Sequence, residues 1–307
     1  MKKISISIGE YQRKYGEEGA LKIAKEIGAD AVDFSLLDFY DYRTPGNIYT
    51  KSDEEIFDHF ARLKKYAGSI GLEIGQTHGQ IRGFTLDEEQ NAALVRNAEK
   101  ECIATLALGA PVCVMHTVTT IYMGPDADPE LMRKMNFDQF CAVLPFAAKN
   151  GIKIATETFG DATGRGCIDF FGDLTEFING YKKIKTESGY GEYFTTCIDT
   201  GHSNKSTRFP GNPKPGDVIR AVGGENISVL HLNDNDTLTD QHKVPLSGVI
   251  DWDDVLNALD EVGYNGNYNM ELNLRYFGEE ISKEYGAFSI AVLRNMLERH
   301  YSGKHCK

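Results

Sequence analysis

Eight times along this chain a short apolar run gives way to a helical stretch, and glycine closes most of the helices just before the next run. The runs lie at 3–8, 31–36, 72–77, 112–116, 152–157, 194–199, 226–232 and 267–272. Helical stretches fall near 17–27, 52–70, 87–108, 129–149, 173–185, 215–222, 252–261 and 281–300. Gly28, Gly71, Gly109, Gly151, Gly224 and Gly263 each stand shortly before a run, where a left-handed helix end costs glycine little. Strand–helix alternation predicts parallel strands joined by helical crossovers. Eight such units predict an α/β fold of the (β/α)8 TIM-barrel type in place of an open sheet.

Local signals support these boundaries. Ser52-x-x-Glu55 and Thr85-x-x-Glu88 read as capping boxes, and Asp128-Pro129 reads as an N-cap followed by proline in the first turn. Ile56, Phe60, Leu63, Ala67 and Ile70 recur at three- and four-residue intervals, one apolar helical stripe. No linker or low-complexity segment divides the chain, so residues 1–307 read as a single domain, with 302–307 (SGKHCK) a flexible tail. The proline-rich stretch RFPGNPKPG (208–216) reads as a long loop on the barrel's active face.

Composition narrows the function classes. Six cysteines without a CxxC pair read as free thiols of a reducing cytosol. MKKISISIGEYQ reads as a first strand and not a signal segment, and no run approaches the ~20 residues of a membrane span. A cytoplasmic protein with no membrane partner is expected. The net charge of −12 disfavours nucleic acid as a partner, because such binding depends on neutralising phosphates.

The candidate functional residues follow the apolar runs: His78 in QTHG, His116 in VMHT, Glu157 in ATETFG, Asp199 and His202 in CIDTGH, His231 in LHLND, and Glu271 in NMEL. Asp240 and His242 lie in the loop after His231. In a TIM barrel the C-terminal strand ends share one rim. Singly, each residue has an ordinary reading as a hydrogen-bonded loop histidine or a helix cap, and His59, His300 and His305 are given no role. Jointly, Glu157, Asp199, His231 and Glu271 end four consecutive strands. Three converging carboxylates repel unless a cation sits between them. One imidazole with three carboxylates suits a divalent ion such as Mn, Mg, Co or Zn, which makes an enzyme the leading reading. Arg82, Arg165, Lys205, Arg208 and Lys243 fall in loops on the same rim, where a substrate phosphate or plain solvent would meet them. Phe34, Phe39, Tyr40, Tyr122 and Phe159 are candidates for pocket walls or for ordinary packing.

ETFG, CIDTGH, HLND, DQHKVPLSGVIDW and MEL, in that order, resemble the xylose-isomerase-like barrel superfamily. The nearest branches are the sugar (phosphate) isomerase/epimerases and the apurinic endonuclease IV group. The first branch implies one divalent metal ion held by Glu157, Asp199, His231 and Glu271, and a small carbohydrate substrate. It also makes Glu157 and Glu271 an acid/base pair on opposite faces of that substrate. Proton abstraction beside a carbonyl builds charge on oxygen, and a metal holding the carbonyl and neighbouring hydroxyl stabilises the enediolate; return of a proton from the other side inverts the carbon. His202 would hydrogen-bond sugar oxygens.

The endonuclease branch implies up to three zinc ions held by all nine residues, with His78, His116, His202, Asp240 and His242 as the additional ligands. GQIRGF after His78 and SNKSTRFPGNPKPG after His202 depart from the endonuclease pattern, which usually carries a proline–tyrosine segment after the first histidine. A non-catalytic, metal-dependent sugar-binding protein is the third reading. The sugar and its phosphorylation, epimerase against isomerase, the identity and number of metals, and any homo-oligomer stay open.

Overall fold

The computed structural model describes residues 2–37 and 39–306. Eight parallel strands form one sheet: β1 (Ile4–Ser7), β2 (Ala31–Ser35), β3 (Glu73–His78), β4 (Val112–Met115), β5 (Lys153–Glu157), β6 (Phe194–Asp199), β7 (Ile227–His231) and β8 (Tyr268–Met270). Their spatial order is β8-β1-β2-β3-β4-β5-β6-β7. Leu232 and Met270 pair across the last gap, with Leu232 N–H donating to the Asn269 carbonyl at 2.8 Å and Glu271 N–H to the Leu232 carbonyl at 3.2 Å. The sheet is therefore a TIM barrel. An antiparallel ribbon of Asp161–Ala162 and Cys167–Ile168 rises from the loop after β5.

The core has the layers this topology demands. Outward residues such as Ile4, Ile6, Val32 and Phe34 pack with Leu21, Phe60 and Leu63 of the helices. Phe140, Val143 and Leu144 cover the other flank with Ile152 and Ile154. Val112, Val114, Ala155, Cys197 and Val229 form a separate small cluster, which plugs the barrel's interior as inward side chains do in this fold.

The helices mostly start where their caps predict. Ser52 and Glu55 form the reciprocal capping box, and Asp128 accepts from Glu130 N–H ahead of Pro129. Four details differ. The first helix runs Gly9–Glu26, interrupted at Gly16 (φ 70°, ψ 177°); only glycine takes that backbone cheaply, and the polar turn before it has no apolar stripe to announce a helix. The cap of Glu88–Leu108 is Asp87, which accepts from Glu89 and Gln90 N–H, while Thr85 Oγ1 accepts from Asp87 N–H. Gly223 (φ 80°), and not Gly224, carries the left-handed turn before β7. The expected tail docks as far as Cys306, which is buried and donates its N–H to Asp253 Oδ1 at 2.7 Å; Lys307 lies outside the described residues. Among the described residues no helix is long and apolar enough to cross a membrane.

Candidate functional site

Alternation along the strands builds the site. Residues two apart share a face, so the inward apolar residues lead directly to polar ones at the rim: Val114 to His116, Ala155 to Glu157, Cys197 to Asp199 and Val229 to His231. Around the other half the inward positions near the rim are polar, with Ser7 on β1, Asp33 on β2, Gln76 and His78 on β3, and Asn269 and then Glu271 at the end of β8. All nine residues singled out in the sequence reach one rim.

Ligand atoms of Glu157, Asp199, His231 and Glu271 lie within 4.8 Å of one another. His231 Nδ1 is 3.3 Å from both Glu157 Oε1 and Glu271 Oε2. Glu157 is fully buried, and neither of its oxygens nor His231 Nδ1 has an aligned hydrogen-bond partner. Buried polar atoms are normally satisfied, and three orphaned atoms clustered beside the other carboxylates fit a place for a cation. His116 Nε2 and His78 Nε2 stand 3.2 and 3.7 Å from Glu157 Oε2. Beside this tetrad, His202 Nε2 and His242 Nε2 face Asp240 Oδ2 at 3.4 and 3.2 Å, forming a second group suited to an ion by geometry alone.

Local structure holds these side chains still. Asp199 caps the short helix Thr200–Ser206, with Oδ1 accepting His202 N–H at 2.6 Å and Oδ2 accepting Asn233 Nδ2 at 2.9 Å. Gly201 makes that geometry possible, since a Cβ there would come 1.9 Å from Asn233 Oδ1. His242 sits at φ 45°, an uncommon backbone for a side chain with a Cβ and one that recurs at functional sites. Its Nδ1 lies 3.1 Å from the Glu271 carbonyl. Phe159 lies between the His116 and His202 rings, with centroids 5.3 and 5.1 Å away, and walls the site. Phe34 and Tyr40 pack on Phe60, Phe39 takes Arg13 over its ring, and Tyr122 takes Arg82.

Electrostatics follow from burial and crowding. Burial pushes the Glu157 carboxyl up, but the imidazoles of His231, His116 and His202 hold it well below the usual carboxylate range. Burial raises Asp199 to about 6 against the pull of His202. Burial opposes the charged form of His202, yet Asp199 and Asp240 keep it well above an ordinary imidazole. His116 is lowered by burial, only partly offset by Glu157.

Three residues went unnoticed in the sequence. Asp33 Oδ2 is 3.2 Å from His231 Nε2 and accepts from Ser7 Oγ at 2.9 Å. It steadies the ring from the Nε2 side while Nδ1 faces Glu157 and Glu271, the arrangement that supports a histidine when it ligates a metal. A register shift between Val32 and Asp33 sets Asp33 beside Gln76, whose Nε2 also approaches it at 3.3 Å. The available signal was an acid inside the apolar run AVDFS. Asp161 is the third. It takes up Lys205 and Arg208, two cations for which the sequence left a substrate phosphate or plain solvent open. Arg165 donates to the Ile121 carbonyl, and Lys243 lies over Tyr276.

Two hollows open at the rim. One of about 140 Å³ is bordered by Ser7, Glu10, Arg13, Asp33, His78 and Glu271. A larger one of about 580 Å³ shares Leu37 with it and reaches the buried carboxyl of Glu101.

A profile of the family described as xylose isomerase-like TIM barrel matches residues 21–295. The chain belongs to that family. An uncharacterized protein of Sinorhizobium fredii (strain NBRC 101917 / NGR234), y4fM, is 26% identical over 189 residues, 61% of this chain and 55% of that protein's length. The chain thus spans about half the length of this curated relative. Among solved structures, a D-tagatose 3-epimerase-like protein superposes with TM-score 0.73 at 18% identity, covering 98% of this chain and 99% of the other. The 3-keto-D-glucoside 4-epimerase YcjR of E. coli gives 0.69 at 15%, covering 96% and 99%. The IOLI protein, whose crystal structure carries a zinc atom, gives 0.69 at 17%, covering 98% of each chain. At these identities the likeness establishes the fold.

Proposed function

We propose that the protein is a divalent-metal-dependent sugar or sugar-phosphate isomerase/epimerase that works by proton transfer beside a carbonyl. The observation that carries this is the pair of carboxylates, Glu157 and Glu271, converging with Asp199 and His231, with Glu271 bordering the smaller hollow. Those four residues would hold the ion, which when bound supplies the positive charge that favours an oxyanion on the substrate. Glu271, whose side chain is 23% exposed, faces the hollow and takes or returns a proton at the carbon beside the carbonyl. Glu157, fully enclosed, serves from the opposite side. His202 and His242 orient the sugar hydroxyls, and Phe159 excludes water. The epimerases among the similar structures and the zinc in the IOLI structure support the reading.

The test is solvent deuterium exchange into a panel of ketoses and keto-sugars, followed by NMR on the metal-loaded protein. Glu157→Gln and Glu271→Gln should each cut exchange by about 10²–10⁴-fold, the range of a lost acid/base group, with the circular dichroism spectrum unchanged. Wild-type exchange in either variant would sink the assignment.

One observation favours a second reading, a zinc-dependent phosphodiesterase acting at abasic sites. The nine residues also fall into three groups, around His78–His116–Glu157, around the tetrad, and at His202–Asp240–His242. Three zinc ions per chain together with nicking of an abasic duplex would establish it.

A further inference from the structure

The two clusters at the rim differ in what stands behind their carboxylates. Lys205, three residues after His202 on the same short helix, is only 2% exposed. Its Nζ lies 2.7 Å from Asp161 Oδ1 and 3.5 Å from Asp240 Oδ1. Arg208 closes Asp161 from its other oxygen and donates Nη1 to the Leu238 carbonyl at 3.0 Å. Asp161 and Asp240 are thus matched by two cations of the chain itself, and the quartet sums to zero before any ion arrives.

The tetrad has no such match. Glu157, Asp199 and Glu271 make ion-pair contacts only with histidines among the described residues. With neutral imidazoles, a dication there leaves one net negative charge. The same dication on His202, Asp240 and His242 leaves two net positive charges on that quartet, where His202 is buried, His242 partly buried and Asp240 exposed, with an ammonium against the other oxygen of its only carboxylate ligand. Like charges held side by side repel, and Lys205, being buried, has little water to screen it from an ion on Asp240.

We propose that Lys205 is a built-in counter-cation. It brings to Asp240, in covalent form, the charge a metal ion would bring, and it keeps the His202–Asp240–His242 group free of metal. The group then serves as one hydrogen-bonding unit beside the substrate hollow. This rests on the functional reading above only in taking the tetrad as the place of the ion.

Crystals of the wild type, Lys205→Met and Lys205→Arg, soaked in excess Zn²⁺, test it by anomalous diffraction at the zinc edge, with zinc per chain counted by plasma mass spectrometry. The wild type should give a peak at the tetrad and none at the group of three. Lys205→Met should gain a peak between His202, Asp240 and His242, and about one further zinc per chain. Lys205→Arg keeps the charge and should gain none. A wild-type peak at the group of three, or no added ion in Lys205→Met, overturns the proposal. If Lys205→Met fails to fold, Lys205→Gln replaces it, and a wild-type peak at that group is decisive by itself. A wild type lacking the tetrad peak would count against the functional reading instead.

Discussion

The tetrad and the group of three stand side by side, are built from the same residue types, and satisfy the same geometric criterion for an ion. Their neighbours set them apart. The tetrad crowds three carboxylates around orphaned atoms and, among the described residues, has only imidazoles within ion-pair reach, whereas Asp240 already faces a lysine. Ligand geometry indicates where an ion fits; the charge balance of the surrounding shell indicates where one is needed.

The largest effect that would break this contrast is metal removal. If the tetrad carries the ion, a chelator should destabilise the protein by about 4 kcal/mol when the metal had been present at ~1,000 times its Kd. That corresponds to a fall in Tm of roughly 6 °C for a chain of 307 residues. Glu157→Gln should abolish the response, because it removes a carboxylate with both oxygens orphaned, the only such one among the described residues. A wild-type melting curve indifferent to chelation would remove the distinction between the clusters.

A smaller effect sharpens it. Asp33 touches the tetrad only through His231 Nε2, so Asp33→Asn should weaken metal affinity by about 10–100-fold, measured by competition with a chromogenic chelator. Unchanged affinity would reduce Asp33 to a packing role.

The smallest effect concerns a carboxyl outside both clusters. Glu101 is buried, with Gln80 Nε2 at 3.4 Å as its hydrogen-bond donor, and burial pushes its pKa up to about 8. The folded protein then holds this proton more tightly than the unfolded chain, where a glutamate titrates near ~4.3. The contribution is complete below that lower value and is lost as pH rises through about 8, at no more than about 1.4 kcal/mol per pH unit. Glu101→Gln should flatten that slope in urea unfolding at several pH values between the two limits. Parallel losses in both proteins would assign the slope to another group.

The barrel and the nine rim residues were legible because both rest on periodicity. Strand–helix rhythm and the end of each apolar run are local properties of the chain. Asp33 escaped because its role depends on a register shift that sets it beside Gln76 and on a histidine 198 positions away. Lys205 was visible as a cation, but its pairing with Asp161 and Asp240 arises only when the loop after β5 folds over the helix after β6. Thr85 resembled a cap because it does bind the next backbone turn, one step ahead of Asp87, the true cap. Each miss is a long-range partner or a competition between neighbouring residues, which spacing alone does not resolve.

The closing pair of the barrel gives the site a mechanical meaning. Between β7 and β8 the described residues show a single bridge, Leu232 with Met270, carried by the hydrogen bonds of Leu232 to Asn269 and Glu271, and His231 and Glu271 stand on opposite banks of that seam. A ligand gripping both would work as a clasp at the least-stitched line of the cylinder. Tightening it should slow amide hydrogen exchange at Leu232 and Glu271 before any other strand responds, so that occupancy of the site and roundness of the barrel become one variable.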